Sequence, residues 1–393
     1  MRGFLVRLWF DERGAALPLA IVTLALLSSL ILGLSVMSAT EPTIAANQLR
    51  TAQARALAEA GIERALWALA NPEAPDGLRD PFPATVPPPY DGSRLIVVTT
   101  RGEPLGGFRL SVLAGAARNE REVVSVGWAP TDATADTRPK SHRRITGTLW
   151  RLRVPAESAP CALCVRGDLE VTDEVTVDAR ADARCGGKRG AWSSGVVSVA
   201  PSAKVWGADG NDTPNEDGDY VQAQPADAAL AWNFTDADLL ALKRLARARG
   251  SYYRGSVLFD ALRPAPQGLV FVDTANGAPI TDTTPAADLG RAELRGGAFR
   301  GWLVVAGSIE ISGDARVRGL VYAQDGFAYR GATPGGIEGQ VVAAGVRGGS
   351  GSLSRTGVGP ALTFDCTAAS GGDGTVPRGW MLKAGSYREP PDP

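Results

Sequence analysis

Three hydrophobic rhythms divide this chain. The first is an apolar run over residues 15–37 that contains no charged side chain. At ~1.5 Å rise per residue it would form a helix about 35 Å long, enough to cross a hydrocarbon core ~30 Å thick. A helical pattern continues over residues 44–69, now Ala-rich and carrying Arg50, Arg55, Glu59, Glu63 and Arg64. Its expected apolar stripe is Leu49, Ala52, Ala56, Ala60, Ile62, Ala65, Leu66 and Leu69. Pro42 lies between the two halves, where a kink or a short break is expected. Asn71-Pro72 ends this first element, residues 15–71, and the proline-rich stretch 72–92 reads as an extended linker.

The second rhythm is short and alternating. Segments at 95–100, 108–114, 123–128 and 144–154, punctuated by Gly and Pro, predict a small antiparallel sheet in a domain over 93–155. Packed on the helical stripe, they would make an α+β head. The basic run Lys140-Ser-His-Arg-Arg144 is expected at a solvated hairpin tip. The third rhythm starts at Ala162. Leu163, Val165, Leu169, Val171, Val175 and Val177 alternate with Arg166, Asp168, Glu170, Thr172, Glu174, Thr176 and Asp178, and Val197, Val199, Ala203 and Val205 keep the phase. Leu303, Val305, Ile309, Ile311, Ala315 and Val317 repeat it, with Gly301, Gly307, Gly313 and Gly319 at regular intervals. Those glycines fall six residues apart, and period two inside period six, with Gly turning each corner, predicts a mainly β domain over 156–370 built as a β-solenoid (β-helix), with an ordinary β-sandwich as the competing arrangement. Thr235-Asp-Ala-Asp238 is a capping box that opens a helical insertion over 235–249 between two solenoid segments, and Gly250 closes it. The tail over 371–393 has Trp380-Met381-Leu382 as its packing handle.

Composition narrows the chemistry. The formal net charge is -1, which leaves no basic footprint and no expected nucleic-acid partner. The 47 glycines and 27 prolines favour turns and β structure, and the single histidine, His142, argues against His-based catalysis. Asp314, Arg316 and Arg318 alternate outward as such residues do in polysaccharide-active solenoids, but strand alternation alone accounts for them, and no enzymatic activity is expected. The acidic loop offers Asp209, Asp212, Asn215, Asp217 and Asp219 as oxygen ligands, with calcium the one candidate ion; its spacing fails the EF-hand pattern, and a solvated loop is the simpler reading. Cys161, Cys164, Cys185 and Cys366 could ligate zinc. An even count beyond a membrane helix favours two disulfides, with Cys185 stacked near Cys161 or Cys164 and the other cysteine left for Cys366; three connectivities stay open.

The residues around the apolar run carry a family likeness. Arg13-Gly14-Ala15-Ala16-Leu17-Pro18-Leu19, then Ala45-Ala46-Asn47 and Ala58-Glu59-Ala60-Gly61-Ile62-Glu63-Arg64-Ala65-Leu66, resemble the N-terminal region of PilX-type minor pilins of type IV pili, and are similar to that of K-type minor pseudopilins of type II secretion. The resemblance implies that residues 1–14 are a leader, that a prepilin peptidase cuts after Gly14 and methylates Ala15, and that other pilins or pseudopilins are the partners. Leu19 stands where major pilins carry a Glu that helps docking into a filament, which implies a tip or initiating subunit. Arg2, Arg7 and Arg13 outweigh Asp11 and Glu12 ahead of the span, so a single-pass inner-membrane protein with a periplasmic C-terminus is expected, or one displayed at an extracellular filament tip. A membrane-anchored carbohydrate-active enzyme and a non-polymerising envelope scaffold are the alternatives.

Overall fold

The computed structural model describes residues 16–390, apart from residues 80, 118, 134–135, 209, 212, 358, 372–375 and 377–378. It divides into two compact units, residues 1–150 with 380–393, and residues 151–379.

The first unit begins with one helix, Ala16–Ala70. Pro18 falls in its first turn, where no backbone N–H is required. Helical structure also runs unbroken through Pro42, without the short break expected there. Ala16–Ser35 is long and apolar enough to cross a membrane and is unburied throughout, with Leu17 and Leu19 among its exposed side chains. Further along, the helix packs on a sheet of four consecutive antiparallel strands, β1 (Asp91–Thr100), β2 (Glu103–Ala114), β3 (Glu120–Ala129) and β4 (Ser141–Trp150). The face that packs follows the predicted stripe at Ile62, Ala65 and Leu69 but departs from it earlier in the helix. Ala54, Leu57, Ala58, Ile62, Ala65, Ala68 and Leu69 are buried, whereas Leu49, Ala52, Ala56 and Ala60 are exposed. In an Ala-rich helix several faces are equally apolar, so close approach decides the phase. A Cβ on Gly127 of β3 would lie 2.1 Å from the Ala54 carbonyl oxygen, and one on Gly61 would lie 2.0 Å from Ser125 Oγ. Only the small residues at 54, 58 and 61 let helix and sheet meet.

Two further expectations change in this unit. Residues 72–90 are not an extended linker: Leu78 and Tyr90 are buried in the same core, the Leu78 amide donates to the Ala68 carbonyl, and Arg64 pairs with Asp76 at 3.1 Å. The basic run is no hairpin tip, because Ser141 opens β4 and His142 stacks on Trp128 of β3 with ring centroids 4.6 Å apart. The chain's last segment returns here. Met381–Leu382 extends the sheet beyond β4, Lys383 pairs with Glu120, and the Tyr387 hydroxyl donates to Glu59 on the helix.

The second unit is built from parallel strands that alternate between two sheets. Its first stretch holds β5 (Cys161–Val165), β6 (Leu169–Val171), β7 (Thr176–Asp178), β8 (Arg189–Ser193), β9 (Val197–Val199), β10 (Lys204–Trp206) and β11 (Tyr220–Val221). After a connection that carries the helix Asp236–Ala248 come β12 (Tyr252–Arg254), β13 (Ser256–Phe259), β14 (Gly268–Asp273), β15 (Gly290–Arg295), β16 (Ala298–Val305) and β17 (Gly307–Gly313). The stack is completed by β18 (Arg316–Ala323), β19 (Phe327–Ala332), β20 (Gly336–Ala343), β21 (Gly351–Thr356) and β22 (Pro360–Thr363). The seven-stranded sheet runs β13-β15-β17-β19-β21-β6-β9, and the larger one runs from β12 to β10 through β14, β16, β18, β20, β22 and β7.

This order is a circular permutation of the chain. β20 pairs with β22 along its first half and with β5 along its second, so residues 161–165 enter the stack beside the point where residues 360–363 leave it. The next layer continues the arrangement, with β7 beside β22 and β8 beside β5. The segment 226–250 is therefore not an insertion between neighbouring coils. It carries the chain from one edge of the stack to the other, opened by the expected capping box, in which Thr235 Oγ1 accepts from the Asp238 amide and Asp238 accepts from the Thr235 amide.

The predicted inward positions hold. Leu163, Val165, Leu169, Val171, Val175, Val177, Leu303, Val305, Ile309, Ile311, Ala315 and Val317 all enter one core. Each Val, Leu or Ile among them contributes ~1.5–3 kcal/mol by leaving water. In the seven-stranded sheet the alternate positions face outward, as the pattern predicts. In the larger sheet they are buried as well along β14 and the second halves of β16, β18 and β20, where the crossing segment covers that face. Phe234 packs on Tyr322 and Trp302 at centroid distances of 4.5 and 5.7 Å, and Trp232 packs edge-on against Trp192 at 5.0 Å. Gly301, Gly319 and Gly339 lie side by side on β16, β18 and β20, all at positive φ. A Cβ on Gly319 would lie 1.8 Å from the Gly301 carbonyl oxygen. Their spacing records the layer repeat of the stack rather than a turn every six residues.

Candidate functional site

The N-terminal helix is the first candidate region. Gly14 and Ala15, where processing is expected, lie outside the described residues. Pro42 interrupts the hydrogen-bond ladder but not the helix, since its missing N–H leaves one carbonyl of the preceding turn without its usual donor.

The cysteines form two disulfides, but not between layers as expected. Cys161 bonds to Cys164, and Cys185 to Cys366. Register explains the difference: Arg189 sits opposite Cys161 and Trp192 opposite Cys164, so Cys185 falls ahead of β8, outside the ladder. There it meets Cys366, just after β22, where the chain leaves the stack. Asp182 secures this corner. It accepts from the Cys366 amide at 2.8 Å and from Arg184, and the Arg184 guanidinium holds its carboxyl well below the usual carboxylate range.

In the acidic loop, Asp209 and Asp212 lie outside the described residues. Asn215 Oδ1 accepts from the Val205 amide at 2.7 Å, and Asp219 is buried and accepts from the backbone amides of Gly207 and Glu216. Asp217 forms an isolated bridge with Tyr220. These contacts tie the loop to β10, and among the described residues no group of three or more His, Cys, Asp or Glu is placed to hold a metal ion.

The most built site is a cleft of about 570 Å³ over the first halves of β16, β18 and β20. Phe299, Val317 and Ile337 point into the core at these strands, so Arg300, Arg316, Arg318 and Glu338 face outward. Register places Arg300 opposite Arg318, Arg318 opposite Glu338, and Glu338 opposite Thr363. Neighbouring strands lie ~4.8 Å apart, and like charges directly opposite destabilise a sheet. Arg318 is neutralised by Asp365 at 3.4 Å and by Glu338 at 3.9 Å. Arg300 and Arg316 are exposed, and neither side chain has an ion pair or hydrogen bond among the described residues. A fourth guanidinium comes from within. Arg355 of β21 is only 6% exposed, donates to the Pro360 carbonyl and Thr333 Oγ1, and has no partner for Nε. Asp314 does not join this row, because it lies in the turn before β18.

Sequence patterning locates Arg316 and Arg318 but misses Arg300, Glu338, Asp365 and Arg355. Glu338 and Arg300 show the same outward alternation and could have been found by aligning the glycines at 301, 319 and 339. Arg355 gives no such signal, since it occupies an inward position of its strand. A second buried polar group also escapes the pattern: Lys243 of the crossing helix pairs with buried Asp273, which also accepts from the Tyr252 hydroxyl at 2.7 Å.

No protein-family model matches the chain, and no curated protein does. Among solved structures, the chain is similar to that described as the competence-associated pilin ComZ from Thermus thermophilus. The identity is 11%, the TM-score is 0.27, and 86% of this chain and 97% of that chain are covered.

Proposed function

We propose that this protein is a minor pilin-like or pseudopilin-like subunit of a type IV pilus-related filament, anchored by its N-terminal helix and displaying its β unit, a β-solenoid, for tip capping, assembly priming or adhesion. One observation carries the reading: a single helix that is bare and apolar over Ala16–Ser35 and then packs on a small antiparallel sheet from Ala54 onward. A simple anchor has no need of such continuity, whereas a filament subunit needs one rod that serves both membrane and neighbouring subunits. The resemblance of residues 13–19 and 58–66 to PilX-type minor pilins supports it. The exposed alanines at 52, 56 and 60 leave a smooth helix face for other pilin helices, and Leu19 in place of a docking Glu suits a terminal position. The role is one of display rather than catalysis.

The test is the N-terminal residue and intact mass of the mature protein from cells with and without the prepilin peptidase. The expected chain starts at methylated Ala15 and is lost in the peptidase mutant. An uncut Met1, or a start beyond residue 38, overturns the reading.

A further inference from the structure

We infer that the arginine cleft binds a carboxylate-bearing polysaccharide, which gives the display reading above its ligand class. Four guanidiniums meet there, from Arg300, Arg316, Arg318 and Arg355, against one lining carboxylate, Glu338. Two of the four, Arg300 and Arg316, have no acid of their own, although Arg300 stands directly opposite another arginine. Arg318 is already paired with Glu338 and Asp365, so the charge left for a bound anion is that of Arg300 and Arg316. Arginine forks match carboxylates with two parallel hydrogen bonds, and here they are fixed on strands rather than on loops. Buried Arg355 adds a guanidinium that is held by Pro360 and Thr333 and keeps one N–H unmatched.

The remaining lining separates sugars from other polyanions. Glu338 can accept hydrogen bonds from hydroxyl groups, and Thr333 and Thr363 add hydroxyls of their own, a mixture that suits a ring bearing both a carboxylate and alcohols. Single-stranded nucleic acid would call for aromatic faces on which bases stack, and the one aromatic residue of the lining, Phe299, is buried in the core. A phosphodiester also gains nothing from Glu338. At about 570 Å³ the cleft falls within the ~300–1,000 Å³ range of ligand pockets, room for a short oligosaccharide.

The experiment is calorimetric titration of the full-length protein in detergent with galacturonic acid tetramer, its methyl ester and thymidine tetranucleotide. The acid tetramer is expected to bind at millimolar concentration or tighter, with the ester and the oligonucleotide at least tenfold weaker. Arg300→Gln with Arg316→Gln should weaken the acid tetramer at least tenfold without moving the melting temperature, and Arg94→Gln, remote in sequence and in the other unit, should change nothing. Absence of binding, equal binding of the ester, equal or tighter binding of the oligonucleotide, or an unaltered affinity in the double variant each overturns the proposal. The ester comparison needs no variant, so it stands even if the double variant folds poorly. Processing at Gly14 plays no part in these outcomes, and this proposal and the filament reading can therefore fail separately.

Discussion

The two units solve the same problem, covering a sheet, by opposite routes. In the first, β1 to β4 pair in chain order through short connections, and one helix covers them. Nearly every strand contact is made with the next strand in sequence. In the second, β5 must find β20, with Leu163 opposite Val341, before the two halves of the stack become one sheet. Loop closure over such distances costs conformational entropy before any contact repays it. The difference shows where each unit is vulnerable. The first depends on helix–sheet fit, and the second on whatever holds the permuted junction together.

The largest test of that comparison is the junction disulfide. Cys185 and Cys366 close a loop across 181 residues, so Cys185→Ala with Cys366→Ala should cost the second unit on the order of 5 kcal/mol. Cys161→Ala with Cys164→Ala removes a crosslink across three residues and should cost about 1.6 kcal/mol on the same chain-entropy scale. Hydrogen exchange resolved by peptide would show the loss confined to residues 151–379. Equal effects from the two pairs would mean that the junction is held by its strands alone.

Glycines supply the next comparison. Gly319→Ala places a Cβ against the Gly301 carbonyl at positive φ, and should cost about 3–5 kcal/mol from strain and overpacking together. Gly127→Ala meets the Ala54 carbonyl across the helix–sheet contact of the first unit, and should cost about 1–3 kcal/mol as the helix shifts away. Chemical denaturation monitored in each unit separately would rank them; the reverse order would place the tighter packing in the first unit. Smaller still, Thr235→Ala removes the cap of the crossing helix and should cost about 1 kcal/mol, seen as faster exchange over 236–248.

The gentlest probe is pH. Asp182 binds its proton more weakly when folded than when unfolded, because Arg184 and the Cys366 amide hold the carboxylate. Its stabilisation is thus complete above the ordinary carboxylate range and is lost as pH falls below about 4. Asp182→Asn should flatten that acid limb of the second unit's stability curve, and an unchanged limb would assign it to other carboxylates.

How much of this could be read in advance varies with the kind of interaction. The capping box at Thr235 and Asp238 and the alternation from Leu163 to Val177 were legible because each is local: one depends on a residue three positions on, the other on strand pleat. The helix stripe was legible at Ile62, Ala65 and Leu69 and misread before them because alanine marks no face, so Ala52, Ala56 and Ala60 looked as core-like as Ala54 and Ala58. The cleft was half legible. Arg316 and Arg318 stand out on one strand, but their partners Glu338 and Asp365 come from elsewhere in the stack.

Local pattern fixed the apolar run, the long helix, the β character of the rest and the side chains that face the second unit's core. Those follow from composition and from periods of 3.6 and 2, which backbone geometry imposes on any chain. The permuted stacking order, the pairing of Cys185 with Cys366, the burial of both faces over the second halves of β16, β18 and β20 and the meeting of four arginines in one cleft came from strand packing. Each of these depends on which strand lies beside which, and periodicity carries no record of that choice, since every strand of the stack offers the same ladder of backbone donors and acceptors to its neighbours.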